Sequence, residues 1–294
     1  MKMTSSLNIV HRIKKKRREA RDNAWRQMPY QSETRPVIVG GCPRSGTTLI
    51  RVILDTHPHI CCGPESEIFK PGRRNPQRLA SLFDLSPTEV EKLLNRSASQ
   101  AEFIDGFFRL YCSAAGKKRW AEKTPNNIRS LDFIFEHFPR ARFIHMLRDG
   151  RDAICSLRTH PRHKVVDGEL IPLNTNNPIS KCIETWVTEV SRGLPWRDDE
   201  RYFELRYEDI VLEPEKTLKK VFEFLDEPWD PAVLDFHEVR SSSRDVTKFP
   251  QNPEATRRLS ARSLGRWQKD LSPKELQMFY DMAGDLLLKL GYER

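Results

Sequence analysis

Apolar residues fall along the chain in short β-branched or aromatic runs separated by stretches of helical spacing. Val37 to Val39 form the first run, Gly40 and Gly41 follow, and from Thr47 the apolar positions Leu49, Ile50, Ile53 and Leu54 recur at helical intervals. The pattern predicts strands at 36–40, 59–62, 118–122, 142–147 and 201–206 with helices between them. Alternation of this kind favours an α/β chain with a mainly parallel central sheet flanked by helices on both faces, and ligands at the carboxyl ends of its strands. Residues 214–226 read as an amphipathic helix with Pro214 in its first turn. Segments 71–115 and 161–177 interrupt the core pattern and read as insertions on the ligand side of a single domain spanning 36–294. The first is mostly helical, with Ser86-Pro87-Thr88-Glu89 as a start signal.

Two strand-to-helix junctions carry candidate chemistry. At the first, the unpaired N–H groups of the helix starting at Thr47 and the positive end of its dipole make an anion site. Arg44, Ser45, Thr47 and Thr48 add side-chain donors there. Gly41 and Gly46 have the spacing of a nucleoside-triphosphate loop, but Thr47 stands where that loop carries its lysine, and Arg44 supplies the cation three residues earlier. At the second junction, Phe143, Ile144, Met146 and Leu147 read as a buried strand, and Arg148-Asp149-Gly150-Arg151-Asp152 turns into a helix carrying Ser156. Asp149 reads as its cap and Arg151 as a solvated charge. Arg148, closing an apolar strand, suits a phosphate through its planar fork of donors.

The run Pro43-Arg44-Ser45-Gly46-Thr47-Thr48-Leu49 resembles the 5′-phosphosulfate loop of sulfotransferases, which take their sulfuryl group from 3′-phosphoadenosine-5′-phosphosulfate (PAPS) and release PAP. The wording is most similar to tyrosylprotein sulfotransferases and related bacterial enzymes, and the shared motifs run from Pro36 to Trp267. The resemblance implies that Arg44, Ser45, Gly46, Thr47 and Thr48 hold the 5′ side of the donor and that Arg148 and Ser156 hold its 3′-phosphate. It also implies that Lys123, in Glu122-Lys123-Thr124-Pro125, contacts the phosphosulfate, that Tyr207 contacts the adenosine, and that Gly265-Arg266-Trp267 ends a segment closing the donor site. Ser242 or Ser243 stands where the family has a phosphosulfate serine. The resemblance makes Glu65 the base, after the His57-Pro58 turn. Pro64 replaces the first glutamate of the family's pair, so Glu67 and, behind it, Glu122 remain alternatives. His145, inside an apolar strand, reads as a core residue.

Composition narrows the picture further. Fifty Lys and Arg against 41 Asp and Glu give a formal charge of +9, which fits an anionic donor without requiring nucleic acid. Sulfuryl transfer, like phosphoryl transfer, rests on positioning and charge neutralisation, so no metal is expected. Six cysteines without Cys-x-x-Cys spacing indicate neither zinc nor a disulfide framework. The position of the lumenal enzymes' disulfide partner for Cys62 is Ala121, and with no apolar run of membrane length in residues 1–35 this favours a cytoplasmic enzyme. Those residues, with Lys14-Lys15-Lys16-Arg17-Arg18, read as a basic, solvated helical arm. The expected acceptor is a hydroxyl on a phenol, a sugar or a small natural product, and a homodimer is compatible with the reading. A P-loop nucleotide kinase and a non-catalytic nucleotide-binding protein are the alternatives.

Overall fold

The computed structural model describes residues 19–160, 162–166, 169–173, 176–238 and 257–294. Chain order gives β1 (Val37–Gly41), β2 (Ile60–Cys62), β3 (Arg119–Lys123), β4 (Arg142–Leu147), an antiparallel hairpin of β5 (Arg162–Val166) and β6 (Glu169–Leu173), and β7 (Tyr202–Arg206). Five strands make one parallel sheet in the order β2-β3-β1-β4-β7. All five lie where the hydrophobic pattern puts strands, to within a residue at either end. The hairpin is an addition, since the 161–177 segment was expected only as an insertion.

Burial on both faces explains why the strands read as continuous apolar runs. Val37, Ile38 and Val39 have no exposed surface, and the period of two sends their side chains to opposite faces. Ile38 joins a cluster with Phe103, Phe107 and Phe108 from the helix Gln100–Ala114. Val37 and Val39 meet Ile50 and Ile53 from the helix Thr47–Thr56 and Phe222 from the helix Pro214–Phe224. A third cluster forms where helices Gly150–Arg158, Ile179–Ser191 and Pro273–Lys289 converge on Trp186 and Phe279. Phe108 stacks on Trp120 of β3, with ring centroids 4.8 Å apart and planes at 15°. The 71–115 segment therefore supplies part of the wall of the sheet itself.

Residues 19–35, set apart by their polarity as part of a solvated arm, are instead packed on that wall. Segment 19–27 is helical. Trp25 Nε1 donates to Ser97 O at 3.3 Å, Arg26 Nη1 to Phe69 O at 2.7 Å, and the Tyr30 hydroxyl to Asp105 at 2.8 Å. Most of the segment stays exposed, and Trp25, Arg26 and Tyr30 fasten it through backbone and carboxylate partners. The Lys14–Arg18 run lies outside the described residues.

Register places the chemistry. Val39 pairs with Lys123 and Gly41 with Met146, so the loop after β1, the end of β3 and the end of β4 open on one edge of the sheet. All six cysteines are buried free thiols. No helix among the described residues is long and apolar enough to cross a membrane.

Candidate active site

The loop after β1 forms a cradle whose shape depends on Gly46. Its φ is +88°, and a Cβ there would sit 2.5 Å from the Tyr207 ring, so both backbone conformation and space exclude a side chain. Gly46 caps the helix Thr47–Thr56 without a side-chain acceptor. The first-turn amides thus face the loop and favour an anion. Ser45 Oγ is fully buried and hydrogen-bonded to the Cys42 thiol. Arg44 also has a left-handed backbone (φ +75°), and its Nε donates to Ser156 Oγ at 3.0 Å. That contact joins two residues that the sequence reading assigned to opposite ends of the donor.

The second junction is built differently. Asp149 Oδ1 accepts the Arg151 N–H at 2.9 Å, so this helix caps itself and the cation beside it supplies the anion site. Arg148 donates from Nη1 to Arg44 O at 3.1 Å and from Nη2 to Ser263 O at 2.7 Å, while its Nε is buried without a partner. Its guanidinium lies 4.6 Å from the centre of the Tyr207 ring, and the Tyr207 hydroxyl shares a 2.8 Å hydrogen bond with Ser263. Burial, followed by the charges of Arg148 and Arg266, pushes the Arg44 pKa below its ordinary value. Arg266 lines the same cleft and pairs with Asp270. Arg151 departs from its expected solvated state: it is 5% exposed, held by Asp149 at 2.7 Å and by the Tyr280 hydroxyl at 3.1 Å.

Lys123 and Glu65 meet at the mouth of the cradle. Lys123 is nearly fully buried, and its Nζ is ion-paired with Glu65 and lies 3.4 Å from Thr48 Oγ1. The Glu65 side chain is 40% exposed, so one end faces the lysine while the group stays open to the cleft. The other two candidate bases are placed otherwise. Glu67, also on the cleft, leans toward Arg73 at 3.4 Å and Arg78 at 3.7 Å. Glu122 is 1% exposed, and both of its oxygens accept hydrogen bonds from the protein. Arg44, Gly46, Thr47, Thr48, Glu65 and Tyr207 share one cleft of about 670 Å³ with Arg148, Ser156 and Arg266.

His160 and Asp152 escape a sequence reading, whereas the basic segment ending at Gly265-Arg266-Trp267 lies at the cleft as the resemblance implied. His160 and the segment from Arg257 to Arg266 line that cleft. Asp152 fastens that segment, accepting the Gly265 N–H at 2.8 Å and the Trp267 N–H at 3.0 Å, while Arg151 lies 4.1 Å over the Trp267 ring. Nothing local marks Asp152, because its partners come more than a hundred residues later. Ser242, Ser243 and Lys248 lie outside the described residues.

Comparison with known proteins places these features in a group. A profile of the sulfotransferase family matches residues 36–231. A protein-tyrosine sulfotransferase of Drosophila melanogaster is 28% identical over 297 residues, covering 92% of this chain and 54% of its own length. The nodulation protein NoeE of Sinorhizobium fredii is 29% identical over 276 residues, covering 86% of this chain and 65% of its own. Among solved structures, the sulfotransferase domain of the Synechococcus PCC 7002 olefin synthase superposes with a TM-score of 0.69 at 21% identity, covering 92% of this chain and 99% of that one.

Proposed function

The chain belongs to the sulfotransferase family, and we propose that it moves a sulfuryl group from PAPS to a hydroxyl acceptor and releases PAP. One observation carries the reading: the anion cradle and Glu65, ion-paired with the buried Lys123, share the same cleft. The donor set fits a doubly phosphorylated nucleotide. Arg148 Nε is a buried donor with no partner, which a phosphate oxygen would satisfy, and Arg44 and Arg148 bring two guanidinium groups to one cleft.

In this reading Glu65 takes the acceptor's proton as the acceptor oxygen bonds to sulfur. Lys123 and Arg44 offset the negative charge that gathers on the 5′-phosphate as its bond to sulfur breaks. Arg148 and Ser156 hold the 3′-phosphate, Thr47 and Thr48 hold the 5′ side, and the Tyr207 ring flanks the adenosine. A 5′-phosphate gives Lys123 a second partner and frees Glu65 to face the acceptor. Likeness to the fly protein-tyrosine sulfotransferase makes a phenolic hydroxyl the first acceptor class to try.

Calorimetric titration with PAP and with ATP, each with and without magnesium, tests the donor assignment. Binding of PAP in preference to ATP, independent of magnesium, is expected; preference for magnesium-ATP overturns the reading in favour of a nucleotide kinase. Glu65→Gln is expected to keep PAP affinity while slowing turnover at least about a hundredfold.

A further inference from the structure

Glu122 lies on β3 next to Lys123, yet it does not line the cleft and is 1% exposed. Four donors converge on its carboxylate. Oε1 accepts the Ser66 N–H at 3.2 Å, the Ser66 hydroxyl at 2.7 Å and the Thr124 hydroxyl at 2.7 Å, and Oε2 accepts Asn127 Nδ2. The two hydroxyls are themselves acceptors. Ser66 Oγ takes the Ile68 N–H at 3.1 Å and Thr124 Oγ1 takes the Glu67 N–H at 3.2 Å. Each hydroxyl therefore spends its one proton on Glu122, and the direction of the whole network is fixed. Every donor on residues 66–68 ends, directly or through one hydroxyl, on this single carboxylate.

The segment so fastened is the one that carries Glu65. It follows Gly63 and Pro64 without regular secondary structure, so its own backbone bonds hold it little. Burial alone pushes the Glu122 pKa above the usual carboxylate range, and the hydrogen bonds from Ser66, Thr124 and Asn127 oppose that push. A carboxylate buried at this cost with four donors is a strong local constraint.

We propose that Glu122 is a positioning residue that ties the Glu65 segment to β3 and so sets Glu65 against Lys123. The proposal rests on Glu65 being the base. Glu122→Gln keeps one acceptor oxygen but turns an amide donor toward Asn127 Nδ2, which already donates to Val39 O at 3.0 Å. Ser66→Ala removes one hydroxyl donor and leaves the Ser66 N–H bond.

Three measurements on the full chain test this: amide hydrogen exchange of residues 66–68, PAP affinity by calorimetry, and single-turnover conversion of PAPS to PAP with p-nitrophenol as the probe acceptor. Glu122→Gln is expected to speed exchange of the three amides by about tenfold or more, leave PAP affinity within about threefold, and slow conversion by about tenfold or more. Ser66→Ala should show the same pattern more weakly, and the double variant less than the sum of the two. Unchanged exchange at 66–68, unchanged conversion, or PAP affinity falling in step with conversion would overturn the positioning role. Glu65→Gln measured in parallel separates the two readings: full conversion by that variant removes the base assignment, whatever Glu122→Gln does to amide exchange.

Discussion

His145 stands in β4 with no exposed surface, one ring nitrogen bonded to the Tyr202 hydroxyl and the other buried without a partner. Burial, with some help from the charge of Arg197, pushes its pKa down to about 3. An unfolded histidine titrates near 6.5, so between the two values the unfolded chain binds a proton that the folded chain refuses. The contribution to stability is complete above the unfolded value and declines as pH falls, by about 2 kcal/mol at pH 5. Urea unfolding of the wild type and of His145→Gln should therefore show a stability gap at pH 7.5 that narrows at pH 5; a constant gap would contradict a neutral buried ring. Residues of this kind were readable one by one, since an apolar strand around a lone histidine already indicates a core position. Contacts were not. Lys123 and Glu65 each close a recognisable short motif, but their ion pair joins positions 58 apart in the chain, and only the pairing of β3 with its neighbours brings them together.

Elements were more legible than contacts because hydrophobic periodicity is a local property. The five sheet strands follow from it directly. The β5–β6 hairpin does not, although the sequence Asp167-Gly168 between two apolar runs is a hairpin signal that could have raised it. Segment 257–267 has no periodicity, and its placement rests on Asp152, Arg148 and Arg151 of the second junction and on Tyr207 after β7. Its main anchor is the Asp152 carboxylate, which accepts two backbone N–H groups at once. Asp152→Ala should free the segment and speed tryptic cleavage at Arg257, Arg258 and Arg262 by about tenfold, with little change in the unfolding midpoint. Equal cleavage rates in both proteins would show that Arg148, Arg151 and Tyr207 suffice to hold it.

For the whole molecule, the described chain begins with a segment that packs against the core through Trp25 and Tyr30. The Trp25 ring packs 6.2 Å from Phe103, with the Arg74 guanidinium 4.7 Å over its face. Trp25→Ala should cost about 1 to 3 kcal/mol in denaturant unfolding, the range for losing a half-buried aromatic side chain. A change within about 0.5 kcal/mol would mean that segment 19–35 is merely laid on the surface. Polar composition hid this docking, since the sequence records the donors of Arg26 and Tyr30 but not the carbonyl and carboxylate that receive them. The stacking of Phe108 on Trp120 bears on evolution and engineering. The helix that carries Phe108 belongs to the segment that interrupts the core pattern, yet its inner face is the lining of the strand that ends in Lys123. That region cannot be exchanged as a cassette when a new acceptor is wanted. A library meant to vary this region should hold Phe103, Phe107 and Phe108 constant and randomise only the outward positions, because changes on the inner face would be inherited by Lys123.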